Sequence, residues 1–390
     1  MLKDNPSFIG RRTMARNALL GGASILLGGA TAAHAAGPTT SQEFINVRQL
    51  GATGDGKTDD TKALQRALDA AGEAHGTVFV PPGVYMTAEL QMHANTGLVG
   101  VPTWEYRNPG STVLRLANPD STCLLNITGA SGVTINGLSL DGAGLGKGVN
   151  GVFLNKPTYG KHEDAFRIER CQINRFSGDG VNLTRAWCFS IRQSMLGRNQ
   201  GDGLRLRGWD GYIVDNWFSG NRGAGFAARE ENASVTFTSN RVEWNGLENI
   251  VINGGDGYQL TGNFLDRAGT CGIALRGDHG KCSQMTITGN FLKRSGKRAD
   301  PESYDSSQIF MDSARGVTCV GNNLQVWQDD NKTGAWSPSH GIVYKGLEDC
   351  VITNNVLYNG AVRQLLVDLG GNGEGLVVKD NPGRLFKIPT

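Results

Sequence analysis

Short apolar pairs recur along this chain at a nearly constant spacing, and that period limits the folds open to it. The pairs are Val181/Leu183, Leu204/Leu206, Phe226/Ala228, Ile250/Ile252, Ile273/Leu275, Ile309/Met311, Ile342/Tyr344 and Leu365/Val367. The steps between them are 23, 22, 24, 23, 36, 33 and 23 residues. Alternation within each pair marks a strand with one buried face. A second ladder, Asn216, Asn240, Asn263, Asn290, Asn322 and Asn355, runs in phase, and an apolar residue follows two positions after each asparagine. Two or more strands per period leave no room for a crossover helix. No single repeat buries its own apolar face, so the coils must stack. The expectation is an all-β fold, a right-handed parallel β-helix of about ten coils with an N-terminal capping helix.

The first 36 residues read as a twin-arginine export signal. Arg11-Arg12 precedes an apolar Gly/Ala-rich stretch, Ala18 to Ala33, and Ala33-His34-Ala35 offers a cleavage site. The expected organisation is a signal over 1–36, a cap segment over 37–100 and the β-helix over 101–390, with export to the periplasm or beyond and no stable membrane span. The formal net charge is +2, and the signal carries four basic residues against one acidic. The remainder is therefore close to neutral, which argues against a nucleic-acid partner. Seven cysteines, an odd number, leave at least one unpaired, although Cys271 and Cys282 are spaced to close a short loop. There is no CxxC and no clustered acidic triple, so neither a metal nor another cofactor is implied.

Residues 44–85 differ from the repeats. Asp59 or Asp60 can cap a helix with the apolar stripe Leu64, Ala67, Leu68 and Ala71; Thr77–Val80 follows as a strand and Pro81-Pro82-Gly83 ends it. GATGDGK lacks the GK[ST] ending of a phosphate loop and reads as a turn. The run GATGDGKTDDTKALQRALDAA…GTVFVPPGVY resembles the opening of the pectate-lyase-like (rhamnogalacturonase/epimerase-like) β-helices, an opening that phage tailspikes share. The resemblance implies a carbohydrate-active fold and, through the tailspikes, a homotrimer as one assembly. It leaves hydrolase, lyase, epimerase and non-catalytic fibre open. The Asn-Thr-Asp, Asp-Asp, Gly-His-Gly and Arg-x-Lys set of polygalacturonases is missing, His340-Gly341 being its nearest fragment.

Residues one period apart stack at about 4.8 Å, so columns can be read from sequence. Three positions after the ladder asparagines stand Ser219, Glu243, Asp266, Lys293 and Gln325; Trp244, Arg267 and Arg294 come next. Glu243 and Asp266 are the expected catalytic pair, since two adjacent carboxylates can divide into acid and base. Trp244 is the expected sugar platform, with Arg267 and Arg294 beside it. A second outward column carries Arg207, Arg229, Arg276, Asp312 and Lys345, a broken basic stripe suited to an acidic glycan. Its alternative is internal pairing, Arg229 with Glu230 or Glu231 and Lys345 with Asp312. Asp179, Asp202 and Glu248 read as turn caps. Two polar insertions, at about 295–307 and 328–339, carry Tyr304 and Trp336 as aromatic tips. The leading expectation is an exported glycoside hydrolase acting on a polysaccharide or oligosaccharide. A uronate lyase or C5-epimerase stands second, and a non-catalytic binding β-helix third.

Overall fold

The computed structural model describes residues 44–327 and 337–388. The chain winds as a right-handed parallel β-helix. Among the described residues the strand pairings between its coils are parallel, in a 22-stranded long sheet that bends around the coil, an 11-stranded short sheet that closes it, and a two-stranded pair of Leu357–Tyr358 with Gly383–Arg384. The twin-arginine segment and Trp336 lie outside the described residues. Among the described residues no helix is long and apolar enough to cross a membrane.

Register follows the repeat. Val181, Leu204, Phe226, Ile250, Ile273, Ile309 and Ile342 are successive partners in the long sheet. The last coil departs by one residue: Ile342 pairs with Leu366 and Val343 with Val367, so Leu365 is not in the expected column. A one-residue shift exchanges the inner and outer faces, and it falls where the solenoid ends and no further coil enforces alternation.

The asparagine ladder is a continuous buried chain. Each Nδ2 donates to the Oδ1 of the next, from Asn216 through Asn240, Asn263, Asn290, Asn322 and Asn355 to Asn381, at 2.8–3.2 Å. Each Oδ1 also accepts the backbone N–H of the preceding asparagine, for example Asn240 N to Asn263 Oδ1 at 2.9 Å. The residue before each is left-handed, as at Asp215, Ser239 and Gly262. A corner that turns this tightly strands amides inside the coil, and the amide side chains satisfy them. A second ladder at the next corner links Asn199, Asn221 and Asn245.

The N-terminal end is closed by the helix Thr61–Ala74, which buries Ala63, Leu64, Ala67, Leu68 and Ala71. Asp60 stands at its N-cap, but makes no side-chain cap bond. Its carboxylate instead accepts from Thr53 N at 2.6 Å and Gly54 N at 3.0 Å, holding the GATGDG turn, while Asp59 accepts from Thr61 N. Phe44–Asn46, Thr77–Phe79 and Gly97–Val99 already belong to the long sheet, and Asp55–Asp59 and Gly83–Thr87 to the short one. All seven cysteines are free; Cys271 and Cys282 are buried and bond to Ser307 and to Ile252 O, so the expected short loop is not closed.

Candidate functional site

The short sheet places Ser219, Glu243, Asp266, Lys293 and Gln325 in one column, with Glu243 and Asp266 as direct partners. Both carboxylates are buried and committed. Glu243 accepts from Trp217 Nε1 at 3.0 Å and pairs with Arg241 at 2.8 Å. Asp266, 1% exposed, takes Arg294 Nε on Oδ1 at 2.8 Å and both Arg294 and Arg267 on Oδ2. Burial pushes the Asp266 carboxyl up; Arg294 and then Arg267 pull it back. The same clamp recurs further up this column, where buried Asp141 bonds Arg115 at 2.8 Å and Arg175 at 2.9 Å. Trp244, Arg267 and Arg294 are the left-handed residues of the corner. The Trp244 ring is faced by Arg267 at 4.1 Å and Lys297 at 4.5 Å, so cations rather than open space lie over it.

The basic stripe divides. Arg207 pairs with Glu231 at 2.8 Å and Glu230 at 3.3 Å, and Arg276 bonds Glu248 at 2.9 Å and Asp305 at 2.8 Å. Asp312 stands 3.9 Å from Lys345. Arg229 behaves differently: Glu230 and Glu231 turn to Arg207, and among the described residues the Arg229 side chain makes no ion pair or hydrogen bond, the charges nearest to it being those of Asp179 and Asp202. Arg205, on the neighbouring strand, has none either. Together with Leu183, Thr184, Leu206, Arg207 and Glu230 they line a cleft of about 140 Å³ on the outer face of the long sheet.

Beside this cleft lie two carboxylates in one column. Asp179 Oδ1 accepts Asp202 N at 2.7 Å, and Asp202 Oδ1 accepts Ala224 N at 2.8 Å. Each thus caps the next coil's turn, as the Gly-Asp-Gly sequence suggests. Burial, and then the charge of Asp179, pushes the Asp202 carboxyl up to about 6, against the pull of Arg229 and Arg205. Asp202 Oδ2 accepts no protein hydrogen bond among the described residues and is not sealed from solvent. Further along the same face Tyr159 stacks on Trp209 at 4.0 Å and its hydroxyl donates to Glu231 O at 3.5 Å, with Arg207 near it. Burial, then the charge of Glu231, pushes its phenol up.

Column reasoning missed Arg205 and Tyr159. Arg205 stands between two inward leucines and carried a signal in the alternation itself. Tyr159 lies in the irregular segment 156–165, outside the repeat, where no period reports position.

Two family profiles match. Residues 44–113 match rhamnogalacturonase A/epimerase, pectate lyase-like, and residues 123–324, more than half of the chain, match the right handed beta helix region. Alginate lyase 7 of Azotobacter vinelandii is 32% identical over 46% of this chain and 22% of its own length. A capsule K30/K69-specific depolymerase of Klebsiella phage K5-2 is 26% identical over 73% of this chain and 37% of its own. The chain thus spans well under half the length of these curated relatives. Among solved structures, the A-module of a mannuronan C-5 epimerase of A. vinelandii superposes with a TM-score of 0.61 at 20% identity, covering 88% of this chain and 100% of that one. The continuous register of the coils and the two profile matches agree: this chain belongs to the right-handed parallel β-helix family and opens with a pectate-lyase-like segment.

Proposed function

We propose that this protein is an enzyme acting on a uronate-containing polysaccharide through removal of the proton at C5, as a lyase or an epimerase. The observation that carries this reading is the pair Arg205 and Arg229, two guanidiniums that line one cleft, make no hydrogen bond or ion pair among the described residues, and have only the charges of Asp179 and Asp202 nearby. Close like charges are costly unless an anion lies across them. A uronate carboxylate fits the fork geometry of arginine. Neutralising that carboxylate makes the neighbouring C5 proton more acidic, which both reactions require. The names of the relatives, an alginate lyase and a mannuronan epimerase, point to the same substrate class.

In this reading Asp202 accepts the C5 proton, since a carboxyl group titrating near 6 is ionised at neutral pH yet basic enough to act. Tyr159, protonated at neutral pH, donates. In elimination the C4–O bond breaks and the leaving oxygen takes the Tyr159 proton; in epimerisation C5 takes it from the opposite face. The hydrolase reading rests on Glu243 and Asp266. We assign that pair a structural role, because arginines hold both oxygens of Asp266 and a like clamp recurs at Asp141.

The test is Arg229→Ala beside Arg276→Ala on a uronate polymer. Arg229→Ala is expected to lower kcat/KM by at least about tenfold, with a weaker salt dependence than the parent. Arg276→Ala, whose guanidinium is already spent on Glu248 and Asp305, is expected to stay within about twofold. Full activity in Arg229→Ala removes the cleft from the mechanism.

A further inference from the structure

A second surface, on a different corner of the coil, has a composition that the cleft chemistry does not use. The segment 100–111 leaves the coils and folds back across the short sheet. It is pinned there: Tyr106 stacks on Trp217 at 5.1 Å, Arg198 lies 4.5 Å over the Tyr106 ring, and Gln172 Nε2 donates to Glu105 O. Fixed by these contacts, Trp104 sits 6.5 Å from Trp217 and remains 59% exposed. An immobilised tryptophan with an open face gains nothing for the fold by staying in water.

Trp104 forms one wall of a cleft of about 550 Å³, with Pro102, Thr103, Arg170, Gln193 and Asp215. The last three are exposed, left-handed residues at the same corner of successive coils. They are therefore spaced by about one strand separation, ~4.8 Å. Gln193 and Asp215 side chains make no hydrogen bond to described residues, and Arg170 commits only Nε, to Asn136 at 3.2 Å. A guanidinium, an amide and a carboxylate in file present paired donors and acceptors that match vicinal hydroxyls. Their charges cancel, so a ligand here is read through hydroxyls and an apolar ring face rather than through net charge.

We propose that Trp104, Arg170, Gln193 and Asp215 form a second glycan-binding platform, which takes a strand of polysaccharide along the corner with one sugar ring against Trp104. The ligand class rests on the polysaccharide reading above; the site itself is independent of the Arg205/Arg229 cleft. Its neutrality separates the two. Binding at the cleft falls with salt, whereas binding at the platform persists.

Affinity electrophoresis and equilibrium binding against a panel of acidic and neutral polysaccharides, at low and high salt, test it. Wild type and Arg229→Ala are expected to bind a polymer at high salt. Trp104→Ala is expected to bind it at least about fivefold more weakly, with Trp104→Phe partly restoring it. Asp215→Ala, which leaves the pinned segment untouched, shows the same direction of loss. Turnover of short oligosaccharides by Trp104→Ala remains at the wild-type level. Three results overturn the proposal: no polymer binds wild type at high salt; Trp104→Ala binds as wild type does; or Trp104→Ala changes the oligomeric state, which makes this face a contact between copies. Loss of the cleft reading shows separately, as full activity in Arg229→Ala.

Discussion

Burying a carboxylate is costly unless its charge is matched, and this chain resolves that cost in opposite ways at two sites. Asp266 is clamped by two arginines; Asp202 is left with one free oxygen beside another acid. For Asp202 the folded carboxyl titrates near 6, above its ordinary 3.8, so ionising it opposes folding. Its favourable contribution is complete below about pH 4 and is lost as pH rises through about 6. Asp202→Asn keeps the acceptor for Ala224 N and removes the charge. It should therefore stabilise the protein at pH 8 by on the order of 1–3 kcal/mol and converge with wild type below about pH 4, by denaturant unfolding. A constant difference across that range refutes the buried-charge account. Asp266→Asn removes the carboxylate that Arg294 and Arg267 share, and is expected to lower stability by about 1–3 kcal/mol while the folded fraction keeps its turnover. A hundredfold loss of turnover at unchanged stability would return Glu243 and Asp266 to the centre of the mechanism. Sequence gave the adjacency of this pair correctly, since spacing fixes register. It could not give side-chain commitment: Trp217 and Arg294 reach the carboxylates from neighbouring coils, and Arg241 from Glu243's own strand, in directions that no period encodes.

The element that carries the fold is the coil corner. A left-handed residue precedes each ladder asparagine, and the amide side chain then bonds above and below. Asn263→Ala removes the acceptor of Asn240 N and Nδ2, while Asn290 Oδ1 keeps the backbone N–H of residue 263, at about 1–3 kcal/mol for each buried group left unpaired. A loss of at least about 2 kcal/mol is expected in denaturant unfolding, larger than for Asn381→Ala at the terminal and partly exposed end of the ladder. Equal costs at the two positions would mean that the ladder is not cooperative along the solenoid. The ladder was legible because every coil repeats it. The segments 100–111 and 156–165 were not, because each occurs once. They carry Trp104 and Tyr159, whereas Arg205, Arg229 and Asp202 stand on the repeat itself.

Within residues 44–388 the stacked coils of the parallel β-helix offer different faces to different tasks. The short sheet closes the core with clamped acids, the long sheet presents the cleft of Arg205 and Arg229, and the corner between them carries Arg170, Gln193 and Asp215 against Trp104. The most direct measurement of the central claim is incubation of the enzyme with a mannuronan-type polymer in D2O, followed by ultraviolet absorbance and NMR. Removal of the C5 proton predicts either an absorbing unsaturated sugar or deuterium incorporated at C5, and in Arg229→Ala the signal forms at least about tenfold more slowly. New reducing ends with neither signal, or no reaction on any uronate polymer, would contradict it.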